Sequence, residues 1–306
     1  MDINNNDGLY RQAALHVENH SEETRFASQA QTLAQRGFVV TLLDIDAALP
    51  PTPVDAGYVD NAQIPVAAVS LTAYHLAMGL YPVVYQGENH GRLVRHVVPR
   101  RGVEHQVSSQ GSRVTFYPHV DNPDLALRNE VFPVYATPSP DTLTLLCLRK
   151  KAGVATSLLL LDDVLGDLSE QDLARLSEPC FQVKRPASFE YQSVCSHDVP
   201  LLLQDERGHR CSRFDYHNVI THSARHLPAL ERMRASARDE KKWLSLELEP
   251  GQVLTFDNQR TLHSRNGFVP DFNGRDRWLL RMFGLYQKPD NSLFISTDCR
   301  HHLKTA

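Results

Sequence analysis

Two stretches of this chain hold residue types that could bind a metal and an organic acid together. The first is Phe116-Tyr117-Pro118-His119-Val120-Asp121, with a histidine and an aspartate two positions apart. On a strand, side chains at i and i+2 leave the same face, so one imidazole and one carboxylate would project side by side. A further histidine from elsewhere would complete a 2-His-1-carboxylate set, which grips a redox-active metal from one side and leaves other positions open. The chain has 15 histidines, so an H-x-D pair alone is weak, and an exposed pair at a strand end would explain it equally.

The second stretch supplies what the first lacks. His263 follows the turn Asp257-Asn258 at the end of a strand, and Arg277 and Arg281 lie fourteen and eighteen residues further on. In the strand expected over 276–285, Arg277, Leu279, Arg281 and Phe283 share one face, and Trp278, Leu280 and Met282 the other. One assignment puts the arginines in solvent and the tryptophan face in the core. The other turns them inward, where unpaired charge costs several kcal/mol and calls for anions, carboxylates matching the guanidinium fork best. Pattern alone leaves both open.

The elements that must position these residues are short. Helical periodicity covers about 9–34, with Ser21 as a candidate cap splitting it in two and Gly37 ending it. Residues 38–43 form a short apolar run expected to be a buried strand, and 71–80 is helix-like again. Beyond Gly91 the chain turns to alternating runs at 93–98, 113–119, 143–148 and 156–161, divided by Gly, Pro, Asn and Asp clusters. Several short strands at this spacing favour a sandwich or jelly roll over a doubly wound sheet. Residues 184–225 are irregular and His-rich, 228–242 reads as a helix, and strands return at 243–248, 253–256 and 276–285. The expectation is one α+β domain over 1–306, mainly β with flanking helices. Its parts are N-terminal helices at about 9–80, a double-stranded β-helix (jelly-roll) core at about 91–183 and 243–290, and a helical lid insertion at about 184–242.

Composition narrows the function. Across 306 residues, 32 Lys and Arg against 36 Asp and Glu give a net charge of -4, which argues against a nucleic-acid partner. Apolar runs fall far short of the roughly 20 residues a membrane helix needs, and the N-terminus lacks the charged and apolar regions of a signal peptide, so a cytoplasmic location without membrane partner is expected. Five cysteines without CxxC spacing suggest neither a disulfide framework nor a thiolate zinc site. Nothing bears on oligomeric state.

Taken in order, H-x-D, a distal His, then two arginines, the chain resembles the clavaminate synthase-like iron(II)- and 2-oxoglutarate-dependent oxygenases, the group with free arginine and asparagine hydroxylases. The stretches that carry the resemblance are 86–99, 108–112, the H-x-D strand and 257–283, the most specific being Asn273-Gly274-Arg275-Asp276-Arg277-Trp278-Leu279; 36–40 and 49–53 look familial too. The resemblance implies Fe(II) on His119, Asp121 and His263, with 2-oxoglutarate and O2 as cosubstrates. Arg277 matches the arginine that holds the distal carboxylate of 2-oxoglutarate. Thr156 matches a hydroxyl at the same carboxylate, with Ser157 as the competing choice. Arg281 matches the residue that takes an amino-acid substrate's carboxylate; Glu88, Gln86 and Ser109 match further substrate contacts, and Asp215 a lid acid that meets a basic side chain.

The implied reaction hydroxylates an unactivated C–H bond of a free amino acid, a basic one if Asp215 serves as supposed, with release of succinate and CO2. Asp121 in place of Gly or Ala leaves no room for chloride and favours hydroxylation over halogenation. Relatives often carry Glu at that position, and 131–135 looks like an insertion. Other substrates (a sulfonate, a carrier-tethered or modified amino acid), desaturation or cyclisation on the same triad, and a non-catalytic metal-binding jelly roll are the competing expectations.

Overall fold

The computed structural model describes residues 2–128, 130, 136–186, 189, 195–205 and 208–305. Asn6–His20 (α1) and Glu22–Arg36 (α2) meet at Ser21, where the expected split occurs. Ser21 is left-handed at φ 53° and makes no side-chain cap bond, so backbone conformation rather than capping breaks the helix. Gly37, at φ 79°, donates its N–H to Leu33 O and stops α2 in the conformation glycine adopts without Cβ strain. Pro65–Ala77 (α3) begins earlier than the sequence suggests, with proline at its first turn.

Two sheets form the core. The larger runs Phe38–Leu42 (β1), Gln252–Asp257 (β13), Thr142–Arg149 (β5), Trp278–Leu285 (β15), Tyr81–Tyr85 (β2) and His302–Leu303 (β16), with Arg95–Val97 (β3) also paired to β15. The smaller runs Leu244–Leu246 (β12), Thr156–Leu160 (β6), Thr261–Arg265 (β14) and Phe116–His119 (β4). All these pairings are antiparallel except β16 on β2. The larger sheet thus takes in β1, at the strand expected over 38–43, and β2, which lies between the N-terminal helices and the expected start of the core at 91. β1 is an edge strand rather than a buried one, with Leu42 60% exposed.

Three apolar clusters hold the layers together. Leu143, Leu145, Leu254, Phe256, Leu279 and Phe283 of the larger sheet share one with Leu158 of the smaller. The outer face of the larger sheet (Leu146, Val253, Trp278, Leu280, Met282) packs under α1–α3. Leu159 and Leu262 of the smaller sheet pack with residues of 161–237. Both faces of β15 are therefore buried, and the two assignments left open by its alternation are resolved together: the tryptophan face is core, and the arginine face is also inside. Phe181–Lys184 (β7) leads into the segment 184–242, which holds strands Cys195–Val199 (β8), Leu202–Gln204 (β9), Arg210–Ser212 (β10) and Val219–Ile220 (β11) beside the helix Leu227–Ala237, so strands as well as helix build it. The expected insertion at 131–135 lies outside the described residues.

Candidate metal centre

Strand pairing brings the separated histidines together. His263 on β14 is the register partner of His119 on β4, and their rings lie 4.1 Å apart. Asp121 lies two residues past the end of β4, where Asn258 replaces the missing ladder. Asn258 Oδ1 accepts the Asp121 N–H at 2.8 Å, and its amide donates to Asp121 O at 3.0 Å and Pro140 O at 3.1 Å. One ligand atom from each of His119, Asp121 and His263 falls within 4.8 Å of the others, and His119 Nε2 is 3.7 Å from Asp121 Oδ1.

The protonation pattern suits a metal. His119 Nδ1 lies 2.8 Å from Tyr117 O, and because a carbonyl only accepts, Nδ1 carries the proton and Nε2 keeps its lone pair. His119 Nε2 and His263 Nδ1 are buried without hydrogen-bond partners. Burial, aided by His119 and Arg281, holds His263 well below the ordinary histidine range, hence neutral as a ligand must be. Two orphaned imidazole nitrogens beside a carboxylate, in a site whose rings are packed by Phe116 and Phe256, are what a divalent metal would satisfy.

A second unsatisfied group lies beside it. Arg277 is buried and donates to Thr156 Oγ1 at 2.8 Å, and among the described residues it has no carboxylate partner. Burial pushes its guanidinium down to about 10. Ser157 points the other way, to Ser245 Oγ at 3.0 Å, which favours Thr156 of the two hydroxyls. A cavity of about 60 Å³ joins His119, Asp121, His263, Thr156, Arg277 and Ser109. A cavity of about 890 Å³ elsewhere does not touch the triad; among the cations that line it, Arg128 is already paired with Asp141 and Asp257.

Residues 108–283 match the family described as "Taurine catabolism dioxygenase TauD, TfdA family". The chain belongs to this family. It is 31% identical over 242 residues to an L-asparagine oxygenase of Streptomyces coelicolor, covering 78% of this chain and 67% of that protein. It is 28% identical over 246 residues to an L-lysine 3-hydroxylase of Catenulispora acidiphila, covering 77% of this chain but 63% of the relative. Among solved structures, asparagine oxygenase in complex with Fe(II), 3-hydroxyasparagine and succinate superposes with a TM-score of 0.78 at 26% identity, over 93% of this chain and 85% of that one.

Within this TauD/TfdA chain the remaining expected contacts divide. Arg281 reaches the cavity, but it is engaged: Nη1 donates to Asp121 Oδ2 at 2.9 Å and Nη2 to Glu88 Oε1. Burial would lower its guanidinium, but Glu88 and Asp121 outweigh that and raise it. Glu88 is fully buried, and Ser109 lines the cavity. Gln86 does not reach the cavity: it is exposed and tied to the C-terminal segment through Leu303 O and Thr305. Asp215 is buried beside His119 through a backbone bridge, but its carboxylate is taken up by the local turn, accepting from His217 N, Asn218 N and Asn218 Nδ2 at 2.7–3.0 Å. It does not line the cavity.

Three residues the motifs did not flag belong to the site: Asn258, Arg95 and Arg265. Arg265 lines the cavity across from Thr156 in register and is bonded to the carbonyls of Ser112, Asn266 and Val114. Its place two residues after His263 was the available signal, since i and i+2 share a face.

Proposed function

We propose that this chain is an Fe(II)- and 2-oxoglutarate-dependent dioxygenase that hydroxylates an unactivated C–H bond of a free amino acid, releasing succinate and CO2. The observation that carries the reading is the pairing of two buried, orphaned imidazole nitrogens and the Asp121 carboxylate with a buried guanidinium that has no acid partner among the described residues. His119, Asp121 and His263 would hold the metal, and Arg277 with Thr156 the distal carboxylate of 2-oxoglutarate. When bound, metal and cosubstrate supply the oxidising power by activating O2.

The chain's own part is placement and exclusion of water. Tyr117 O fixes the His119 tautomer, Asn258 fixes the Asp121 backbone, and Arg281 fixes the outer carboxylate oxygen. Leu143, Leu145, Leu279 and Val97 give the cavity apolar walls, which keep water from the reacting C–H bond. We read the two-sheet core as a jelly roll and 184–242 as its lid. Arg281 and Ser109 are the candidate contacts to the substrate's backbone groups. The relatives named for asparagine and for lysine are similar to this chain to nearly the same degree, so a basic side chain and an amide are the two classes to test.

The experiment is succinate release by the Fe(II)-loaded protein with 2-oxoglutarate and O2 across the twenty amino acids, ornithine and citrulline. Stimulation by one amino acid, with a product heavier by about one oxygen, supports the proposal. Silence with every amino acid, despite 2-oxoglutarate binding, refutes the free-amino-acid part; no 2-oxoglutarate binding refutes the whole.

A further inference from the structure

Arg95 sits on β3 directly opposite Arg281 on β15. Like charges opposite one another on antiparallel strands are destabilising, and both of these are buried. They are reconciled by one carboxylate: Arg95 Nη1 donates to Glu88 Oε1 at 3.0 Å, and Arg281 Nη2 donates to the same oxygen. Asn122 Nδ2 reaches Glu88 Oε2 at 3.4 Å, and Arg95 Nε donates to Ser109 Oγ at 3.1 Å. A single guanidinium thus touches Glu88 and Ser109 directly, and Arg281 through Glu88.

Folding alone gives little reason to keep such an array, since buried Arg–Glu–Arg groups can be replaced by apolar side chains without loss of stability. Charge gives one. Without a metal, two guanidinium groups face two carboxylates, Glu88 and Asp121. Once the Asp121 charge serves a metal, the two arginines share Glu88 alone, and an anion is required to balance them.

We infer that Arg95 is a positioning residue of the substrate pocket: by holding Glu88 and Ser109 it sets where Arg281 presents its guanidinium, and so makes the pocket select a free carboxylate on the substrate. This rests on the amino-acid reading above. A neutral ester, amide or carrier thioester of the same amino acid cannot neutralise the pair and is disfavoured. If Arg95 is lost, the Glu88 charge is balanced by Arg281 alone and draws it off the substrate, weakening its charged hydrogen bond to the substrate carboxylate.

The test uses the full-length Fe(II)-loaded protein and its best amino acid, alongside that amino acid's carboxamide. For the parent, the acid is the better substrate. For Arg95→Gln, the amino-acid KM rises by about 10- to 150-fold, the worth of one hydrogen bond to a charged group, with a smaller change in kcat; the acid-over-amide preference collapses, and the KM for 2-oxoglutarate stays put, because Arg277 and Thr156 lie outside the array. The double variant Arg95→Gln/Glu88→Gln frees Arg281 from Glu88 and recovers part of the affinity lost in Arg95→Gln, a coupling that mere disruption would not produce. Should Arg95→Gln not fold, Arg95→Lys keeps the charge but cannot span both partners and shows the same split. An unchanged amino-acid KM and acid preference in a folded variant overturns the inference alone. A parent that no amino acid stimulates overturns the reading beneath it as well.

Discussion

Replacing Arg277 by methionine should move affinity and stability in opposite directions. In the parent, burial takes the guanidinium from 12.5 to about 10, and at 1.36 kcal/mol per unit keeping it charged there costs about 3 kcal/mol. Its hydrogen bond to Thr156 returns about 1 kcal/mol of that. A methionine of similar reach is free of the penalty, so the protein without metal or cosubstrate should gain about 2 kcal/mol. At roughly 2–4 °C per kcal/mol for chains of this order of size, the unfolding midpoint rises by several degrees. The bound state behaves oppositely. A cosubstrate carboxylate buried without its cation loses about 3–5 kcal/mol, so the KM for 2-oxoglutarate rises by roughly two to nearly four decades. Thermal unfolding of the apo-protein and succinate release against 2-oxoglutarate concentration read both sides. A KM shifted less than tenfold, or an apo midpoint that falls, would refute the assignment of Arg277 as an anion receptor waiting for its ligand.

Other outcomes follow from single contacts. Asn258→Ala removes both bonds to the Asp121 peptide, and titration of the apo-protein with Co(II) should show metal affinity lower by about 10- to 100-fold. Thr156→Val should raise the 2-oxoglutarate KM by about 2- to 13-fold, the worth of one hydrogen bond, whereas Ser157→Ala, facing Ser245, should leave it unchanged. His75, fully buried with neither ring nitrogen bonded, is pushed down to about 3 by burial. Below pH 6.5 the unfolded chain takes up a proton that the native state refuses until about 3, so stability drains as pH falls through that window. The His75 share is about 2 kcal/mol at pH 5. Urea midpoints at about pH 7 and pH 5 should therefore converge in His75→Leu.

What the sequence makes legible is set by how far each signal depends on neighbours in space. Alternation at 276–285 puts Arg277 and Arg281 on one face, because side-chain direction in a strand is local. That both faces are buried is not local: it needs α1–α3 on one side and the second sheet on the other, and no pattern within β15 announces either. The H-x-D pair locates two candidate ligands, but the third depends on β14 pairing with β4 in one register. Asn258 reads as an ordinary turn residue following Asp257, and its grip on Asp121 spans 137 positions of chain. Arg95 looks like one more charge in a basic stretch until its strand is laid against β15. Gln86 and Asp215 show the converse. Each stands at a familial position, yet Gln86 binds the C-terminal segment and Asp215 builds a turn, because hydrogen-bonding groups are spent on whatever the backbone brings nearest.

Strand β15 lies between β5 on one side and β2 and β3 on the other, with neither face open to water. Its amides can exchange with solvent only when the sheet itself opens, so Arg281 on the strand and Arg277 one residue before it are anchored at the centre of the larger sheet. Asp121, beyond the end of β4, is held by side chains instead of a ladder, through Asn258 at its backbone and Arg281 at its carboxylate. On the proposed reading, a metal would therefore be lost from the His119–Asp121 side while the arginines stay in place. On the same reading, a molecule without its metal would keep Arg277 and Thr156 ready for an organic acid, and the acid would hold that half of the site in register until a new ion arrives.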